Sequence, residues 1–449
     1  MKKIFQYIML AVVTIVMASC TSDIEETTAT TGKNNIQLVV GEFPAFGDSQ
    51  TRAIGTQDPG KTSWAVGDEL LLEMTSKTLG TKYATFKYNG SSWELASGEL
   101  SYKEDEVPTF PHVYYAPNYK WEAGKLVLKE GKVAGTDEYI EGTAQITPNG
   151  EGINVSFADA TRNYSRLRIA TMPNKPITVA FNEYTPAGSS RMEWFPRYTL
   201  TSDEKGNAYL YGTFGQYCDF EVKYEGAPLA SHTFYQAAEN AKSYVLDATV
   251  ISVNSAEEIK SAIEQEVADG KTTIRLNLAP NAGTNEFMAI REAIKGAAPN
   301  DLGTIELTFI GVETIPEEAF YKMLQLKSVR MSDVKEIKKY AFKECQYLTV
   351  VEAPSLNKLC SGAFKKCDQL AKLTFGPINY ADERNWPIFE YITPNIDLIL
   401  SDYQKEMIET DSYLYTANND RDYAGSDEHN SKNFLGREFK SITCRYPVE

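Results

Sequence analysis

The chain has 449 residues and a formal net charge of −16 at pH 7, and aromatic residues make up 12% of it, 27 of them Tyr. That length exceeds what one hydrophobic core organises, so two or three domains are expected. The acidic balance excludes nucleic acid as a partner, because phosphates require a basic face, while the aromatic content favours β-sheets and recognition surfaces.

Met1, Lys2 and Lys3 precede an apolar run from Ile4 to Val16 and then Met17-Ala18-Ser19-Cys20. The lysines hold the leading end on the cytoplasmic side and the run is too short to span a bilayer, so residues 1–20 read as a secretory signal. Met17 to Cys20 resemble the lipobox of bacterial lipoproteins, with Met17 where leucine is usual. The resemblance implies that Cys20 becomes the lipidated first residue of the mature chain; the alternative is an ordinary signal peptide with a chance cysteine. Residues 21–35 are polar and Thr-rich, too poor in apolar surface to offset their ordering entropy, which predicts a flexible tether. Asp23, Glu25 and Glu26 resemble the export tags of lipoproteins carried to the outer face of the outer membrane, and Thr21 is not the aspartate that retains lipoproteins at the inner membrane. The implied location is the outer membrane, lipid-anchored and exposed at the cell surface.

From Asn34 to about Val250 short alternating segments bounded by turn residues recur, with no long amphipathic helix. Ile153, Val155 and Phe157 alternate after the hairpin cue Pro148-Asn149-Gly150, and Tyr209-Leu210-Tyr211 come after a turn from Ser202 to Asn207. Many short strands with regular turns predict β-sandwiches. Thr51-Arg52-Ala53, Trp64-Ala65-Val66-Gly67-Asp68-Glu69-Leu70, Val113-Tyr114-Tyr115-Ala116-Pro117, and Ser156-Phe157 leading into Leu167-Arg168-Ile169 resemble the fimbrillins, with W-x-x-G-D the most specific element. The resemblance implies a pair of transthyretin-like, Ig-like β-sandwiches over residues 36–160 and 161–252. In polymerising fimbrillins a protease cuts after an arginine in the N-terminal region, and the resemblance makes Arg52 a candidate for that cut, against an ordinary loop arginine. A pilus shaft subunit is also expected to end in a donor strand; this chain ends in something else.

The C-terminal half is built on a repeat. Ala319-Phe320, Ala341-Phe342 and Ala363-Phe364 are 22 residues apart. Val312, Val334 and Leu356, then Ile315, Ile337 and Leu359, then Met323, Cys345 and Cys367, then Leu326, Leu348 and Leu370, then Val329, Val351 and Leu373 keep the same phase. A fixed period of this length predicts a solenoid whose units bury their apolar faces by stacking. The pattern resembles the BspA-like leucine-rich repeat of bacterial surface proteins. Residues 253–449 are therefore expected to form an α/β leucine-rich-repeat domain with caps. Ser255 and Glu258 form a capping box before a helix carrying Ile259, Ala262, Ile263 and Val267; a strand through Ile274, Leu276 and Leu278 comes next. A second helix with Phe287, Ile290 and Ile294 stops at Gly296 before a strand with Ile305, Leu307 and Phe309. Segments Ile396–Leu400 and Phe439–Ile442 are expected to close the stack.

Alternation along the repeat strands sends every second side chain outward. The outward set is Ser328 with Arg330, Val350 with Glu352, and Lys372 with Thr374, a candidate ligand face in which Arg330, Glu352 and Lys372 form a plus, minus, plus ladder. Such a ladder is also what purely structural charge pairing produces. Five or six units at about 4.8 Å give a face only about 25 Å long.

No catalytic, metal or cofactor site is expected. His112, His232 and His429 are isolated, and no P-loop, H-E-x-x-H, G-x-S-x-G or dinucleotide fingerprint occurs. Asp420-Arg421-Asp422 starts like a calcium loop, but Ala424 and Ser431 replace ligands. Cys345 and Cys367 share the phase of Met323 and read as core fillers, and no disulfide framework is expected. A glycosidase could hide among 61 acidic residues because its carboxylates need no local motif, so a hydrolase is a third reading. The leading expectation is a non-catalytic surface adhesin, fimbria-associated, that binds a host or bacterial surface protein. The alternative is a glycan-binding lipoprotein of a nutrient-uptake system, with Tyr114, Tyr115 or Trp121 as sugar platforms against a core role for the same rings.

Overall fold

The computed structural model describes residues 36–44, 46, 60–103, 106–142, 144–149, 152–157, 162–382, 388–401, 433–435 and 437–445. Among them the chain is mostly β, with two helices and several sheets.

Alternating burial explains the first pair of sheets. Leu70, Leu72 and Met74 of the strand Glu69–Ser76 face inward, and this strand pairs antiparallel with Gly80–Tyr88 on one side and Thr109–Tyr115 on the other. Trp93–Gly98 and Ile140–Gly142 complete five strands. A three-stranded sheet brings Gly152–Phe157 between Ile36–Val40, which runs parallel to it, and Gln145–Asn149, which runs antiparallel. Leu38 and Val155 of this sheet share one core with Leu70, Val113 and Ile140 of the other. Removing each such side chain from water contributes roughly 1.5–3 kcal/mol.

The W-x-x-G-D element pins the segment that leads into the strand Glu69–Ser76. Trp64 meets Phe43, Trp93 and Tyr115 edge-on at 4.9, 5.1 and 5.3 Å, and its indole donates to the Gly41 carbonyl at 2.8 Å. Asp68 accepts from the Ala65 amide at 2.7 Å, from the Tyr115 hydroxyl at 3.2 Å and from Lys61. Gly67 sits at φ 98°, where a side chain would be strained.

A second pair comes next along the chain. The strands Glu193–Trp194, Glu183–Pro186, Asn207–Thr213, Ser165–Ala170 and Ser243–Asp247 form one sheet, and Arg197–Thr201, Pro176–Phe181, Cys218–Tyr224 and Ala227–Phe234 the other. They enclose one core crowded with Phe181, Tyr184, Phe214, Phe220 and Phe234. Between the two pairs, Arg162 grips Glu138 with two hydrogen bonds of 3.0 and 2.9 Å. Tyr164 donates to the same carboxylate, and the Arg162 guanidinium lies 4.0 Å from the centre of the Phe46 ring.

Eight parallel strands make the last large sheet: Ile251–Ser252, Thr273–Asn277, Ile305–Ile310, Leu326–Met331, Val350–Ala353, Lys372–Phe375, Asp397–Ser401 and Ser441–Arg445. The first helix, Ala256–Ala268, is capped by the Ser255 side chain, which accepts from the Glu258 amide; Glu258 answers at the Asn254 amide, one residue earlier than a standard box. The second, Thr284–Ala297, runs one residue past Gly296. Each 22-residue unit also gives a two- or three-residue strand to a four-stranded parallel sheet through Thr314–Ile315, Glu336–Ile337, Lys358–Cys360 and Tyr380–Asp382. None of the in-phase apolar residues is more than 4% exposed.

Phenylalanine rings form a column through these units. Phe320 and Phe342 stack at 5.1 Å, Phe342 and Phe364 at 5.4 Å, and Phe364 and Phe389 at 5.7 Å. At the same level the turns exchange backbone bonds: the amides of Phe320 and Lys322 donate to the carbonyls of Ala341 and Lys343, and those of Phe342 and Glu344 to Ala363 and Lys365. Lys322, Glu344 and Lys366 hold φ of 55–62° to aim these amides at the next unit. The Cys345 and Cys367 thiols are buried and donate to the carbonyls of Phe320 and Phe342 at 2.9 and 3.0 Å. Burial pushes the Cys345 thiol up to about 12, so neither a thiolate nor metal ligation is favoured there.

Candidate binding face

The register fixes which outward side chains are neighbours. Across the large sheet one row runs Thr273, Glu306, Ser328, Val350, Lys372, Asp397, Ser441, and the next runs Arg275, Thr308, Arg330, Glu352, Thr374, Ile399, Thr443. Lys372 thus sits level with Val350, and Thr374 is the residue level with Glu352. The expected straight ladder of Arg330, Glu352 and Lys372 is corrected to a diagonal one. Arg330 Nε reaches Glu352 Oε2 at 3.0 Å along the row, and Lys372 Nζ reaches Oε1 at 3.1 Å from the row beside it.

Glu352 is consequently the centre of the face. Burial alone would raise its carboxyl, but Arg330 and Lys372 outweigh that and hold it below the usual carboxylate range. Beyond it, Asp397 accepts from Ser441 at 2.6 Å and from Lys440 at 3.1 Å, which lowers that carboxyl too. The face therefore presents alternating charge that is internally paired.

Ser328 does not belong to the accessible set. It points outward but is only 5% exposed, and its Oγ finds no hydrogen-bond partner among the described residues. Thr308, in the neighbouring row, is 2% exposed, and Arg275 donates from Nε to the Leu229 carbonyl of the strand Ala227–Phe234 at 2.6 Å. The first strands of the sheet are thus covered by the second pair of sheets, which alternation within the repeats could not foretell. The accessible part runs from Arg330, Val350 and Glu352 through Lys372 and Thr374 to Asp397.

A second surface is invisible to the period alone. Lysines and tyrosines flank the Ala-Phe turns: Lys343 lies 5.0 Å from the Tyr321 ring and 4.7 Å from Tyr340, Lys339 lies 4.7 Å from Tyr340, and Lys365 lies 5.6 Å from Tyr391. The signal that could find it is the residue pair on either side of each Ala-Phe, rather than the Ala-Phe itself.

Other sequence candidates fall elsewhere. Tyr114 and Tyr115 are buried, so they offer no stacking platform, and Trp121 packs on Tyr83 at 4.6 Å. His112 pairs with Glu141 at 2.9 Å and stacks on Tyr114, while His232 packs between Phe220 and Phe234. Among the described residues no group of three or more His, Cys, Asp or Glu is placed to hold a metal ion. Cys218, Cys345, Cys360, Cys367 and Cys444 form no disulfide. Cys20, the tether, Arg52, His429 and the segment 420–431 lie outside the described residues.

Residues 301–405 match the model of the BspA type leucine rich repeat region, in six copies. No curated protein matches the chain. The matched family is a repeat region of a binding kind, and no catalytic family is indicated.

Proposed function

We propose that this chain is a non-catalytic adhesion or binding protein of the cell surface, lipid-anchored to the outer membrane through Cys20. In this reading a leucine-rich-repeat solenoid over residues 253–449 is displayed on a fimbrillin-like base of two β-sandwiches, 36–160 and 161–252. The observation that carries it is the in-register parallel stacking of the repeat strands, which holds Arg330, Glu352, Lys372 and Thr374 at fixed spacing on an open face. Fixed, preordered side chains reduce the entropy lost on binding, which suits recognition of another protein's surface. The accessible stretch is small beside the roughly 800 Å² per partner of a standard interface, so neighbouring surfaces or avidity contribute.

Intact cells expressing the chain test this. Surface protease is expected to remove the repeats, and cells carrying Glu352→Arg with Thr374→Arg are expected to lose adhesion while keeping wild-type surface levels. Protection from protease would contradict surface display, and unchanged adhesion would contradict the face.

One observation favours a glycan reading instead. A cleft of about 340 Å³ is lined by Tyr139, Glu141, Asn163, Thr185, Ser189 and Ser190, a set of hydroxyl, amide and carboxylate groups beside a phenol ring. Micromolar saccharide binding on a glycan array, lost on Glu141→Ala, would displace the protein-adhesin reading.

A further inference from the structure

The residue Arg275 poses a problem that the binding face does not solve. It lies on the strand Thr273–Asn277 between Ile274 and Leu276, whose side chains enter the repeat core, so its own side chain leaves the opposite face of the sheet. It is 9% exposed. Its Nε donates to the Leu229 carbonyl at 2.6 Å, and among the described residues no carboxylate comes within ion-pair distance of its guanidinium. A charge taken from water with one neutral hydrogen-bond acceptor is poorly compensated. Burial lowers its proton affinity and Arg330 on the same row adds to the effect, while the charges of Asp247, Glu306 and Glu266 offset it only in part.

Arg275 also lines a cleft of about 390 Å³ formed by residues of the second pair of sheets and of the repeat sheet, and its Nε is the nitrogen engaged by Leu229. Ser231, His232, Lys271, Thr272 and Thr273 line it with Arg275, all able to donate a hydrogen bond. Asp247 is the acid in the lining, and it is already engaged: the Thr249 amide donates to its Oδ1 at 2.9 Å and Lys271 stands 3.6 Å from its Oδ2. A water molecule can fill such a space but cannot neutralise the guanidinium.

We propose that this cleft binds the oxyanion group of a ligand, a carboxylate or a sulfate or phosphate, held end-on by the two Arg275 Nη groups with Thr272 and Thr273 hydroxyls beside it. Arginine forks suit this because two parallel N–H donors match two oxygens of one group. The space is several times larger than the anionic group itself, so the group belongs to a larger molecule whose uncharged part fills the rest.

The test is calorimetric titration of the full chain with sodium acetate, sodium sulfate and sodium phosphate against sodium chloride at matched ionic strength. Saturable heat with at least one oxyanion is expected; acetate alone identifies a planar carboxylate site, and sulfate or phosphate alone a tetrahedral one. Arg275→Gln is expected to weaken binding by about tenfold or more, the scale of one charge-assisted hydrogen bond. Because that variant removes a buried contact, Arg275→Lys and Thr273→Val serve as milder changes that keep the charge; each is expected to weaken binding several-fold. No saturable heat with any of the three anions, or equal affinity in all the variants that fold, overturns the proposal.

Discussion

Replacing Phe342 by alanine removes the middle ring of the column. The side chain is fully buried, 5.1 Å from Phe320 on one side and 5.4 Å from Phe364 on the other, with interplanar angles of 18° and 6°. Truncating a buried Phe costs about 3–5 kcal/mol, and a site whose neighbours are held by inter-unit backbone bonds collapses poorly, which places this one at about 4–5 kcal/mol. Because stacked units contact only their neighbours, the loss concentrates in the units on either side. A chain with several cores does not unfold in one step, so the assay is native-state hydrogen exchange resolved by segment rather than a single melting point. Peptides covering Leu326–Met331 and Val350–Ala353 are expected to lose about three orders of magnitude of protection, while those covering Ser165–Ala170 and Asn207–Thr213 keep theirs. Tyr321→Ala, which removes a surface ring, is expected to cost no more than about 1 kcal/mol. A loss below about 1 kcal/mol at Phe342, or one spread equally over both regions, would refute the stacking argument.

The same contacts set further outcomes. The Glu352 carboxyl is held below its ordinary value in the folded chain, so its contribution is complete above the unfolded value near 4.3 and is lost as pH falls through the lower folded one; the urea midpoint for the repeat sheet is expected to fall between about pH 5 and pH 3, less steeply in Glu352→Gln. Breaking the buried Arg162–Glu138 pair with Arg162→Met is expected to destabilise the first two pairs of sheets by about 3–5 kcal/mol, and the double change Arg162→Met with Glu138→Leu to cost less, as measured by urea unfolding. Ellman's reagent is expected to leave the buried thiols of Cys218, Cys345 and Cys367 unmodified in the native chain and to reach them only in denaturant; rapid native labelling of Cys345 would contradict its burial.

The repeats are the most legible part of the sequence because their constraint is periodic: each unit must bury the same positions, so Val312 through Leu373 announce themselves by spacing alone. The fourth unit escapes that spacing. Phe389 lies 25 residues after Phe364 rather than 22, and Ile388 takes the place of the alanine, yet the ring stacks on Phe364 at 5.7 Å. A three-residue insertion breaks the sequence phase without breaking the column. The sheet is correspondingly longer than the five or six units expected, with eight strands. Alternation also gives the right outward side chains, but not their accessibility, since Ser328 is closed in by packing that no local pattern encodes. Lys372 falls in the wrong row when charge order along the chain is taken for register across the sheet. The W-x-x-G-D element is visible in the sequence, but its reason is tertiary: Asp68 ties together Ala65, Lys61 and Tyr115.

The most direct measurement of the binding claim is site-specific photo-crosslinking on intact cells, with the crosslinker at Thr374 on the open face and, as a control, at Lys125 far along the chain. A discrete adduct formed from Thr374 and absent from Lys125 is the expected result; adducts of equal yield from both positions, or none from Thr374 in cells that still adhere, would contradict it.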